Sequence, residues 1–221
     1  MAFTDQLLKA ARPIWEAQLR HPFVVGIGDG TLDEGLFGRW VRQDYLYLKE
    51  FARIFAWGAA KADRLESMGW FAAALHLTLN TEMELHRKYA ARFGISAEEL
   101  EAEPMWPTTR AYTDFLVRTA ADGDMADLLA ALLPCAWGYA HIAAHLAESS
   151  PPADQRYADW IAQYTSREFC EASEWLQAET NRVVEGVGSE KRRRLTDLFV
   201  LSSRYEWRFW EMCWRGEEWP V

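Results

Sequence analysis

Between Asp127 and Glu148 the chain carries no charged residue: Leu128 to Ala147 reads LLAALLPCAWGYAHIAAHLA. A helix that is apolar on nearly every face must be surrounded by other helices or by lipid. The run is long enough to cross the roughly 30 Å hydrocarbon core of a bilayer. Pro134, Gly138, His141 and His145 interrupt it, however, and no Lys or Arg flanks it immediately, so it reads as the buried central helix of a water-soluble fold rather than a span.

The rest of the chain supplies the surrounding helices. Apolar residues recur at three and four spacing almost throughout, and no run alternates apolar and polar β-formers, which makes the class all-α, a multi-helix bundle. A first helix opens at Thr4 as N-cap and carries Leu7, Leu8, Ala11, Ile14, Trp15 and Leu19, with Pro13 expected to kink it; a loop is predicted from His21 to Gly30. Asp33 then opens a long helix ending around Lys61, with Phe37, Trp40, Val41, Asp44, Tyr47, Leu48, Phe51 and Phe55 near one face. Further helices are predicted over 65–93, 108–121, 124–148, 154–185 and 189–215, separated by Gly94, Pro104 with Pro107, Gly123, Ser149-Ser150-Pro151-Pro152 and Gly186-Val187-Gly188. No linker or composition shift divides residues 1–221, so one domain is expected.

Charge and cysteine usage narrow the function. The net charge is -9, and the only short basic run is Lys191-Arg192-Arg193-Arg194, too little to neutralise a phosphate backbone; no nucleic-acid partner is expected. Three cysteines make a disulfide framework improbable and a reducing, cytoplasmic setting the default. The opening Met1-Ala2-Phe3-Thr4-Asp5-Gln6 lacks the regions of a signal peptide. There is no Gly-rich phosphate loop, zinc-type cysteine pairing or Gly-flanked nucleophilic Ser.

Chemistry must then come from polar groups on apolar helix faces, because bundles build their sites between facing helices. Cys135 lies in the most apolar helix, next to Pro134, which frees a carbonyl one turn earlier, and Tyr139 shares its face; the plain alternative is a small buried hydrophobe. Cys170 and Cys213 lack such company. Asp44 shares a stripe with Tyr47 and Phe51, where a carboxylate is costly unless partnered; pairing with Arg39 or Arg42 would be a simple structural role. Glu206 sits among Tyr205, Trp207, Phe209 and Trp210, where burial would raise its pKa toward that of a general acid or base, with a surface ion pair to Arg208 as the alternative. The 12 Trp, 11 Phe and 8 Tyr are mostly packing, with a subset able to wall a pocket for a flat heteroaromatic ligand; Tyr112 and Tyr164 stand out as hydroxyls in need of a partner. His141 with His145 and Glu82 with His86 have metal-ligand spacing, but they are isolated pairs and read as buried or interfacial polar residues; no metal is expected.

In order and spacing, His21-Pro22-Phe23-Val24, Gln43-Asp44-Tyr45-Leu46-Tyr47-Leu48 with Phe51-Ala52-Arg53, Glu82 with His86, Leu133-Pro134-Cys135-Ala136-Trp137-Gly138-Tyr139, Tyr157 with Trp160-Ile161 and Tyr164, and Glu206 with Phe209-Trp210 resemble the TenA family, the thiaminase II or aminopyrimidine aminohydrolase proteins, in its cysteine-bearing branch. The resemblance covers nearly the whole chain and implies a haem-oxygenase-like helical fold. It implies Cys135 as nucleophile, Asp44 as the carboxylate that hydrogen-bonds the aminopyrimidine, and Glu206 as acid/base, with Tyr47, Tyr112, Tyr139 and Tyr164 lining the pocket. It further implies hydrolysis of 4-amino-5-aminomethyl-2-methylpyrimidine to the hydroxymethylpyrimidine in thiamin salvage, thiamin itself as a second, poorer substrate, no cofactor, and a cytoplasmic homotetramer. The competing readings are a haem or metal protein on the same fold with His21, His86, His141 or His145 as ligand, a non-catalytic regulator, and an enzyme acting on another aminopyrimidine such as a formylated derivative.

Overall fold

The computed structural model describes residues 2–221, apart from the side chain of Leu85. The described residues form eleven α-helices and one π-helical turn, with no strand. Contacts group them into two compact units: residues up to Asp33 with Leu129–Trp214, and Glu34–Leu128 with Arg215–Val221.

The first unit holds α1 (Phe3–Leu19), α2 (Pro22–Asp29), most of α8 (Met125–Leu146), α9 (Gln155–Tyr164), α10 (Arg167–Val183) and nearly all of α11 (Ser189–Arg215). The N-cap of α1 is Ala2, not Thr4. Thr4 is instead joined to α10: its N–H donates to Asn181 Oδ1 at 3.0 Å, and Asn181 Nδ2 donates to Thr4 Oγ1 at 3.0 Å. The predicted loop after His21 is a helix. His21 caps it, its Nδ1 accepting from Phe23 N at 3.2 Å, and Pro22 fills the first turn, where a missing N–H costs nothing. Gly26 within it serves packing: a Cβ there would stand 3.0 Å from the Leu32 backbone. The predicted helix over 154–185 is two, because Ser166 caps a fresh start at Arg167 by accepting from Phe169 N at 3.3 Å.

The uncharged run forms α8, which is long and apolar enough to cross a membrane by length and composition. Its stretch Leu128–Leu133 is no more than 2% exposed, as a core helix requires. Tyr157 of α9 donates its hydroxyl to Leu32 O at 2.6 Å, and Trp210 of α11 donates its indole N–H to Gln18 Oε1 of α1 at 3.2 Å, so these two buried polar groups are partnered.

The second unit is organised on α3 (Glu34–Lys61), against which α4 (Leu65–Leu77), the π-helical turn Thr78–Glu82, α5 (Met83–Ala91), α6 (Ala97–Ala102) and α7 (Pro107–Asp122) pack. The expected single helix over 65–93 is thus interrupted by the π turn, where Thr78 Oγ1 donates to Glu82 Oε2 at 3.1 Å. A π turn adds a residue to the helical path and so rotates the faces of everything after it. Gln43 ties α3 to the segment before α7: its Oε1 accepts from Trp106 N at 3.0 Å and Thr109 Oγ1 at 2.7 Å, and its Nε2 donates to Pro104 O at 3.0 Å. This amide is fully buried and fixes the backbone beside Asp44.

Candidate active site

Cys135, Tyr139, Tyr164 and Glu206 belong to the first unit, and Asp44, Tyr47 and Tyr112 to the second. In the first, Pro134 cannot donate to Ala130 O, and at the next carbonyl Ser202 of α11 donates its hydroxyl to Ala131 O at 2.6 Å. Two turns further on, the rings of Tyr139 and Trp210 lie 5.2 Å apart. Both contacts join residues separated by 71 positions, so α8 and α11 run in the same direction and Cys135 and Glu206, midway between the contacts, stand at the same level. Cys135 lies on the face of Tyr139, and Glu206 on the face of Ser202 and Trp210.

The cysteine is half-buried, at the point where α8 changes from the sealed stretch ending at Pro134 to a partly accessible one. A wholly encased thiol would be an inert hydrophobe; this one is reachable. None of Cys135, Cys170 and Cys213 is in a disulfide. Glu206 is 3% exposed.

Aromatic rings continue from Tyr139. Tyr164 lies 4.9 Å from it, Trp160 is 4.7 Å from Tyr164, and Phe23 is 5.5 Å from Trp210. Tyr164 is half-buried, like Cys135. These edge-on and tilted contacts hold flat surfaces rigidly, the requirement for a wall against a planar ligand.

In the second unit, Asp44, Tyr47 and Tyr112 are buried. The Tyr47 ring stacks on Phe51 at 5.4 Å and meets Tyr112 of α7 at 5.4 Å, so α3 and α7 form a second aromatic face. Asp44 does not rely on Arg42, which reaches Glu103 and Glu99 instead. Its Oδ2 is 3.7 Å from Nδ1 of His86 on α5. The other ring nitrogen of His86 bonds Val41 O at 2.7 Å. Burial pushes the His86 imidazole down to about 4, against a smaller lift from the Val41 bond. Burial likewise raises Glu82, opposed by its bond from Thr78.

The remaining histidines are otherwise occupied or remote from the aromatic walls. His21 Nδ1 accepts a backbone N–H, so Nε2 carries the proton and donates to Glu211 Oε2 at 3.0 Å, leaving neither nitrogen for an iron. His141 and His145 are exposed, and His145 faces Glu148 at 3.7 Å. Among the described residues no group of three or more His, Cys, Asp or Glu is arranged to hold a metal ion.

Ser202 and His86 are the site neighbours that sequence reasoning did not assign. Ser202 carries a weak signal, lying one turn before Glu206. His86 was visible as a spacing partner of Glu82 and a candidate metal ligand, but not as a neighbour of Asp44.

A half-buried thiol and a buried carboxylate thus stand at one level on adjacent helices, framed by aromatic rings. A solved structure described as a domain with a heme oxygenase-like fold, from Shewanella denitrificans, superposes with a TM-score of 0.74 at 15% identity over 97% of this chain and 93% of its own, which establishes the fold. Residues 8–216 match the model of the TENA/THI-4/PQQC family, and the chain belongs to that family. It is 44% identical to the aminopyrimidine aminohydrolase of Halalkalibacterium halodurans over 220 residues, 99% of this chain and 98% of the relative. The TenA homologue of P. horikoshii superposes with a TM-score of 0.91 at 30% identity, covering 98% of this chain and all of the other.

Proposed function

We propose that this protein is an aminopyrimidine aminohydrolase that converts 4-amino-5-aminomethyl-2-methylpyrimidine to the hydroxymethylpyrimidine and ammonia, with residues 1–221 acting as one TenA-like domain. Family membership and full-length similarity to a protein of that activity support the reaction. The observation that carries the chemistry is the equal level of Cys135 and Glu206 on parallel helices, one half-buried and one buried.

The Cys135 thiolate adds to the electron-poor pyrimidine ring, forming a C–S bond and a nucleophilic ring that expels the amine from the exocyclic methylene. Glu206 gives its proton to that amine as the C–N bond breaks. Water then adds to the methylene carbon, Glu206 taking the proton back, and the thiolate leaves to restore aromaticity. Sulfur suits both steps, being a strong nucleophile and an adequate leaving group. Asp44 hydrogen-bonds the aminopyrimidine, and Tyr47, Tyr112, Tyr139 and Tyr164 line the pocket. Thiamin shares the pyrimidine and is a second substrate with a thiazole as leaving group. No cofactor takes part.

The enzyme works in the cytoplasm as a homotetramer. Exposed apolar side chains on α4 and the π turn support self-association: Leu65, Leu77 and Leu79 are 84%, 53% and 52% exposed.

The test is product formation from the aminomethylpyrimidine, beside thiamin, by wild-type protein and Cys135→Ser. Hydrolysis that the variant loses supports the reading; no turnover of either compound by folded wild-type protein discards it.

A further inference from the structure

Glycine in the middle of a helix weakens it relative to alanine, so a helix-interior glycine has a reason in φ, in packing or in function. Gly26 and Gly58 have packing reasons, since a Cβ on either would press on Leu32 or on the Phe71 ring. Gly30 and Gly94 have positive φ. Gly138 has neither. It lies inside α8, one turn after Cys135 and on its face, and a Cβ built on it would meet no atom within 4 Å outside its two chain neighbours and its own helix backbone. Gly69 on α4 also meets nothing, but it is exposed and its space is solvent, whereas Gly138 is buried. The rings on either side of Gly138 are engaged elsewhere, Trp137 with Trp15 at 5.1 Å and Tyr139 with Tyr164 at 4.9 Å. By the 71-position offset between α8 and α11, Gly138 stands level with Phe209, between Glu206 and Trp210, and none of those side chains enters the space. Protein interiors are close-packed, so room that a methyl could fill with a gain in helix propensity calls for an occupant.

We propose that Gly138 is a specificity-determining residue: its missing side chain keeps open, beside the Cys135 sulfur, the slot that admits the edge of a planar six-membered heteroaromatic ring. This rests on the role proposed for Cys135. Side chains three residues apart on a helix have Cβ atoms roughly 5–6 Å apart, so a methyl at position 138 would stand next to the sulfur. A ring carbon reacts only from roughly 3–3.5 Å, and a ring held off by that methyl does not reach that distance. Gly138 is buried where Cys135 is half-buried, so the slot lies inward of the thiol: a ring in it leaves bulk water, while the sulfur stays reachable from outside. A small reagent that needs only the sulfur is therefore indifferent to position 138, and a flat ring is not.

Gly138→Ala tests this, with Gly69→Ala on the exposed side of α4 as a control that changes helix propensity alone. Both variants should melt at the wild-type temperature or up to about 2–4 °C above it. G138A should lose about tenfold or more in kcat/KM for the aminomethylpyrimidine, and G69A nothing. Alkylation of Cys135, followed by peptide mass, separates room from reactivity. In G138A iodoacetamide should react within about twofold of the wild-type rate, whereas 4-vinylpyridine, a flat heteroaromatic reagent, should react at least about fivefold more slowly. Wild-type kcat/KM in G138A overturns the proposal, and so does an unchanged 4-vinylpyridine rate. Iodoacetamide slowed as much as 4-vinylpyridine means lost reactivity rather than lost room, and a variant that melts below wild type means the space is already filled; either overturns it too. Wild-type protein that turns over no aminopyrimidine discards the function, and the two alkylation rates then decide on Gly138 by themselves.

Discussion

Ser202 Oγ donates to Ala131 O at 2.6 Å, and each residue stands one turn before a proposed reacting group, Glu206 on α11 and Cys135 on α8. The bond lies one residue after the carbonyl that Pro134 leaves without a helical partner, and it fixes the register of the two helices. Ser202→Ala should lower stability by about 1 kcal/mol, the usual net worth of such a bond. In a chain of this size that is a fall of about 2–4 °C in melting temperature. Because the register also aligns the reacting pair, kcat should fall in the same variant, whereas a bond that only braced the fold would lower the melting temperature alone.

Glu206→Gln keeps the shape of the side chain and removes the proton transfer. With the residue 3% exposed, the loss should appear as a fall in kcat of about 10²–10⁴-fold with little change in KM. Steady-state kinetics on the aminomethylpyrimidine check this, and a variant of near wild-type kcat removes Glu206 from the chemistry.

Helix existence was legible from the chain because strong local signals set it. The charge-free α8 needed a surround of helices, and its stretch Leu128–Leu133 is sealed in the core. Helix ends failed where a capping side chain acts against the pattern: Ser166 restarts a helix within the predicted span 154–185, and His21 caps a helix where a loop was predicted. His86 could not be assigned from spacing, since its partner is on α3 and the π turn alters the face it presents. A 3.6-residue period carried across Thr78–Glu82 puts it on the wrong side.

Close helix approach makes Gly58 a test of α3–α4 packing. A Cβ there would collide with the ring of Phe71, which is fully buried and has nowhere to move. Gly58→Ala should gain about 1 kcal/mol of helix propensity, yet overpacking a filled core costs about 1–3 kcal/mol. The net expectation is destabilisation, with Phe71→Leu in the same chain restoring part of it. Thermal melts of the two variants decide, and a stabilised Gly58→Ala contradicts the close approach.

The buried His86 gives stability a defined pH dependence. Its ordinary value of 6.5 holds in the unfolded chain, and in the folded protein burial takes it to about 4. As pH falls through 6.5 the unfolded chain binds a proton that the folded chain refuses until about 4. The contribution is therefore fully present above about 6.5, declines through that window and is gone below about 4. Its full size is up to about 3 kcal/mol. Glu82 on the same helical path is shifted upward by burial, so its contribution has the opposite sign, present when it is protonated and lost as pH rises through its folded value. Glu101, held down to about 2 by its bonds from Lys49 and Tyr45, contributes stability that is present above its ordinary 4.5 and declines as pH falls from there, overlapping the lower end of the window. Comparing wild type with His86→Gln cancels Glu82 and Glu101, which both chains keep. Chemical denaturation at pH 7 and pH 4.5 should then show wild-type stability falling more steeply than that of the variant. Equal falls would mean that the imidazole is already charged in the folded state, with Asp44 as its counter-ion.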